Sequence, residues 1–183
     1  MAKLKVDSRI YIFLAVLLFL IPLKWLAAWV TAICFHELMH VFVVKLYGGS
    51  IRNFSVDLGG ANMECVALTE KAYLLSVLAG PIGGLALVLL GCWLPRVAIC
   101  SWLLSVYNLL PVLPLDGGRV LQILLKKRNS FDFLQKILLF MISIFCVYLC
   151  FFAKLGILPM VVVASLWIKN RKIPCKEATY KVQ

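Results

Sequence analysis

Residues 25–47 read WLAAWVTAICFHELMHVFVVKLY, and the reading of that stretch decides the fold. As a helix it is about 35 Å long, enough to cross the roughly 30 Å hydrocarbon core of a bilayer. Inside it lies His36-Glu37-Leu38-Met39-His40. Residues four apart stand on one helical face a turn from each other, so the two imidazoles can share one zinc ion. Glu37 stands alongside to take a proton from a water that the metal activates. They are the only 2 histidines in the chain. An ionisable group near the bilayer centre costs about 2.5–3.5 kcal/mol on insertion scales, so such groups face the protein interior and serve a purpose. The plain alternative is a chance pattern on a core helix with satisfied polar groups.

Composition puts the chain in the membrane class independently of the motif. It is 63% hydrophobic with only 15% charged residues, and its mean hydropathy is +0.99. A soluble domain of this length could not cover that much apolar surface. The net charge of +11 does not imply nucleic acid. The basic residues sit in short loops between apolar runs, where they set topology and meet lipid headgroups. The 7 cysteines form no CxxC pair, and an odd number without a framework argues against a disulfide-stapled secreted fold.

The expected architecture is an all-α polytopic membrane protein with six transmembrane helices, at about 10–23, 25–47, 72–94, 97–113, 133–152 and 155–168. A small membrane-associated β-hairpin is expected from Ile51–Leu58 and Ala61–Leu68 flanking Gly59-Gly60. These make one transmembrane domain over residues 1–183, with no CBS or PDZ domain. Gly80, Gly84 and Gly91 read as a close-contact helix face, kinked at Pro81. With both termini cytoplasmic, only Lys24, Arg96 and Lys154 of the 19 basic residues fall outside, a bias that sets a multi-pass orientation in the cell membrane. His36 and His40 then lie roughly 10–17 Å from the cytoplasmic end of their helix.

A catalytic zinc takes three protein ligands and keeps one position open. With both histidines used, the third must be a carboxylate or thiolate. Asp57, Glu64 and Glu70 in or beside the hairpin region are candidates. Asp116 is preferred, because Pro111 and Pro114 break the preceding helix and Gly117-Gly118 lets the backbone turn tightly. Cys34 lies two residues from His36, on the other side of that helix.

HELMH in the second span, followed by NLLPVLPLDGGR at 108–119, resembles the site-2 protease family of intramembrane zinc metalloproteases. The compact layout is similar to its bacterial sporulation branch, which cleaves a membrane-associated pro-sigma factor. The resemblance implies that His36, His40 and Asp116 bind Zn2+, that Glu37 is the catalytic base and that Asn108 positions substrate. It further implies a membrane-protein or membrane-associated substrate within the lipid bilayer and a membrane-bound inhibitor or regulator. A contrasting reading is a non-catalytic metal-binding scaffold or metal transporter. A transporter would distribute polar ligands along a path through several helices, whereas here they cluster at one depth.

Overall fold

The computed structural model describes residues 3–6, 18, 21–57, 60–66, 68–125, 128–151 and 158–172. The chain divides after Asn108 into two compact units. The first holds strands β1 (Lys3–Val6), β2 (Ser50–Asp57) and β3 (Gly60–Val66) and helices α1 (Leu23–Leu46), α2 (Glu70–Val88) and α3 (Pro95–Asn108). The second holds α4 (Asp116–Leu124), α5 (Arg128–Phe151) and α6 (Leu158–Lys172).

Among the described residues, three helices are long and apolar enough to cross a membrane: Leu23–Leu46, Glu70–Val88 and Ser130–Tyr148 within α5. The first expected span, 10–23, lies almost wholly outside the described residues. Two other expectations are corrected. The run 72–94 is helical only to Val88, because Leu89, Leu90 and Gly91 turn their amides back to the carbonyls of Ala86, Leu87 and Val88. Such three-residue closures tighten and end a helix. The run 97–113 is helical only to Asn108, because Pro111 pushes Leu110 out of the α region and withholds its own amide. At 14 residues α3 is about 21 Å long, shorter than a bilayer core.

Beside the helices lies a three-stranded sheet in the order β1-β2-β3, in which β1 is the strand that the sequence reading did not include. β2 and β3 run antiparallel, from Ser50↔Val66 to Asp57↔Gly60, with a bulge between Ile51 and Asn53. β1 joins β2 in parallel, from Lys3↔Asn53 to Val6↔Val56. Parallel neighbours need a crossover, and here α1 lies between them in sequence.

Within the first unit, α2 packs against both α1 and α3. Its candidate span is 44% buried against 22% for α1, which makes α2 the inner helix. Small residues let the three axes approach. Ala28, Ala32 and Cys100 form one buried contact between α1 and α3, with Trp25, Trp29, Val97 and Leu104 around it. Gly84 faces α3, where Ser101 donates to its carbonyl at 2.9 Å and a Cβ would run into the Ser105 hydroxyl.

The ends of α1 and α2 are set locally. Pro22 precedes α1, and its carbonyl accepts from Trp25 (2.8 Å) and Leu26 (3.1 Å). At the other end Gly48 adopts φ 72°, Gly48 N–H returns to Lys45 O (3.0 Å) and Gly49 N–H to Val44 O (2.9 Å). This paired closure needs a left-handed residue, which glycine supplies. α2 opens at Thr69, whose hydroxyl accepts from Ala72 N–H at 3.3 Å.

In the second unit, Gly117 and Gly118 bring the first turn of α4 against the backbone of 109–113: a Cβ on Gly117 would meet the Leu109 and Leu110 carbonyls, and one on Gly118 the Val112–Leu113 peptide. The Leu113–Pro114 peptide is cis. α5 and α6 pack together, with Leu139 and Leu166 fully buried and Trp167 Nε1 donating to Ser143 Oγ at 3.1 Å.

Candidate metal centre

The histidine pair is built on one face of α1, as four-residue spacing requires. His36 is 2% exposed and His40 half-buried, while Cys34 is exposed on another side. The two Nε2 atoms lie 3.1 Å apart, and the rings meet nearly edge-on at 83°. His40 Nδ1 donates to the Ser76 carbonyl of α2 at 2.7 Å. A carbonyl can only accept, so this bond places the ring proton on Nδ1 and leaves the Nε2 lone pair outward. Ser76 O can take this bond because a carbonyl has two lone pairs and so can accept a side chain as well as a helical amide.

The pair fits zinc. Two imidazole nitrogens about 2.0–2.1 Å from a tetrahedral ion stand about 3.3 Å from each other, close to the separation seen. The backbone-held Nδ1 is the outer-shell bond that metal-bound histidines use to fix ring orientation. The floor beneath the pair is Gly80 of α2. A Cβ built there would lie 2.8 Å from His36 Nε2 and nearer still to His40 Nε2. Only a residue without a side chain leaves this space to the imidazoles. Gly80 therefore faces α1 whereas Gly84 faces α3, so the expected common glycine face serves two neighbours.

Glu37 follows His36 on α1 and is half-buried. Asn108 is the last residue of α3, also half-buried. Asp116 belongs to the second unit, where it is 7% exposed and opens α4 rather than lying in a loop. Its Oδ1 stands 3.9 Å from an Arg119 nitrogen, at the outer limit of an ion pair. Sequence reasoning missed the part that Ser76 and Gly80 play at the histidine pair. Ser76 acts through a backbone atom, which leaves no trace in residue type. Gly80 was marked for close helix contact by its spacing from Gly84, but that spacing did not say that the histidines were what it would meet.

The sequence profile of peptidase family M50 matches residues 87–149, a stretch that includes Asn108 and Asp116. Rip3 of Mycobacterium tuberculosis is 34% identical over 114 residues, covering 52% of this chain and 29% of that protein. A protein of Methanocaldococcus jannaschii named zinc metalloprotease MJ0392 is 28% identical over 115 residues, covering 55% of this chain and 34% of that one. The chain thus matches about a third of the length of these relatives. In fold it is similar to the solved site-2 protease from Methanocaldococcus jannaschii, with a TM-score of 0.67 at 20% identity over 98% of this chain and 93% of that one. The chain is thus similar to peptidase family M50 over part of its length, and its fold is that of a solved site-2 protease. The M50 profile match begins after the histidines, so the HELMH motif at 36–40 is evidence separate from it.

Proposed function

We propose that this chain is a membrane-embedded zinc endopeptidase acting on a transmembrane or membrane-associated protein. One observation carries the reading: two Nε2 atoms 3.1 Å apart, one of them turned outward by a backbone carbonyl. In this reading His36, His40 and Asp116 would hold the metal, since two neutral imidazoles and a carboxylate are a donor set that catalytic zinc uses. Asp116 in the first turn of α4 stands where a helix end favours negative charge. Zinc, when bound, supplies Lewis acidity, polarising the scissile carbonyl and bringing the pKa of water towards neutrality.

Glu37 is the general base in this reading. It accepts the proton of the attacking water and returns it to the leaving amide nitrogen, so one carboxylate serves both steps. Asn108 presents a side-chain amide that can donate to the carbonyl oxygen as negative charge builds on it. A substrate helix hides its carbonyls in its own hydrogen bonds and must unwind locally before cleavage. The bias of basic residues supports a multi-pass protein with both termini cytoplasmic. The narrower sporulation assignment rests on the compact layout of the sequence alone.

The test is Glu37→Gln in purified protein reconstituted with single-span membrane proteins as candidate substrates. Zinc content should stay at the wild-type level while cleavage falls by about 10²–10⁴-fold. Undiminished cleavage would remove the protease reading, and a scaffold or transporter would be indifferent to the change.

A further inference from the structure

Gln135 is a polar residue of α5 that is only 3% exposed. Its amide is used entirely on backbone. Nε2 donates to Pro111 O at 3.1 Å, and Leu113 N–H donates to Oε1 at 3.1 Å. A primary amide carries donor and acceptor side by side, so it can hold two backbone groups as a neighbouring strand would. The loop provides few partners of its own. Pro111 and Pro114 have no amide hydrogen, and the carbonyls of Leu110 and Val112 already accept from Val112 (2.7 Å) and Leu115 (3.0 Å). The clamp therefore holds two backbone groups, Pro111 O and Leu113 N–H, beyond those that the segment's own bonds engage.

That segment is the seat of α4. The first turn of α4 rests on it through Gly117 and Gly118, with no room for a Cβ at either. A shift of the 111–113 backbone would carry Asp116 with it. Metal distances tolerate only about ±0.2 Å, so a loosened seat would be felt at the carboxylate. We propose that Gln135 is a positioning residue for Asp116, acting through the backbone of 111–113 to set where α4 presents its carboxylate to the metal. The inference rests on the reading of Asp116 as the third ligand.

A double-mutant cycle of Gln135→Met and Asp116→Asn separates the two ideas. Zinc affinity is read by chelator competition in detergent-solubilised full-length protein, the visible spectrum of the Co2+-loaded form reports ligand geometry, and melting of the metal-free protein controls for folding. Gln135→Met should weaken zinc about 10–100-fold, as outer-shell losses do, and change the cobalt spectrum. In the Asp116→Asn background it should cost nothing further, because the group it positions is gone. Losses that add in the double variant, or an unchanged affinity in Gln135→Met beside a weakened Asp116→Asn, overturn the proposal and leave the ligand reading standing. Unchanged affinity in Asp116→Asn overturns the ligand reading and this proposal with it. If Gln135→Met does not fold, Gln135→Glu keeps the acceptor for Leu113 and loses the donor to Pro111, and the same two criteria decide.

Discussion

Replacing Gly80 by alanine puts a methyl group where the two imidazoles converge. The new Cβ would stand 2.8 Å from His36 Nε2, about 0.6 Å short of the 3.4 Å at which ordinary contact begins, and would press harder on His40. Either the rings or the inner helix must yield. A ring displaced by this amount moves about three times the ±0.2 Å that a metal site tolerates. An overpacked contact costs about 1–3 kcal/mol, so zinc affinity should fall by on the order of 10–100-fold if the rings carry the strain. If α2 moves instead, the same energy appears as lost stability of the metal-free protein. Chelator competition and thermal melting of Gly80→Ala read the two shares separately. Zinc affinity within twofold of wild type together with an unchanged melt would refute the placement of Gly80 beneath the pair.

Two predictions concern stability at helix ends in the first unit. Gly48→Ala forces a side chain into left-handed backbone and should cost about 1–2 kcal/mol, lowering the melting temperature without changing zinc content; Gly48→Asn, which tolerates that conformation better, should lose less. Thr69→Ala removes the hydroxyl that caps α2 and should cost about 1 kcal/mol in the same melt, with Thr69→Ser close to wild type.

The sequence made α1 legible because a lipid-length apolar run and an i, i+4 histidine pair both speak of one helix. What escaped was set by contacts distant in sequence. Pro22 and Gly48 marked the ends of α1, but nothing marked where α2 would stop, since Leu89, Leu90 and Trp93 are as apolar as the helix before them. The Lys3-Leu4-Lys5-Val6 alternation carried a strand signal, and the basic residues drew it towards topology instead. The nine residues of α4 followed two prolines and carried two glycines directly after Asp116, a pattern that speaks for a turn. At the site, residue types gave the imidazoles their partners along α1 but not across to α2. Whether Gly80 is a kink, a notch or the floor of the pair depends on which helix it faces, and spacing alone does not encode that.

The excursion that carries β2 and β3 leaves and re-enters the helical unit at a single doorway. Gly49 abuts Leu68, and Val44, Leu68 and Ala72 close around them with Ile51 and Tyr73. With its two ends pinned together, doubling the length of such an insert costs only about 0.6 kcal/mol of closure entropy. Residues 50–66 thus form an interchangeable cassette: provided the register with β1 is kept, grafts there could carry new specificity while the imidazoles stay undisturbed.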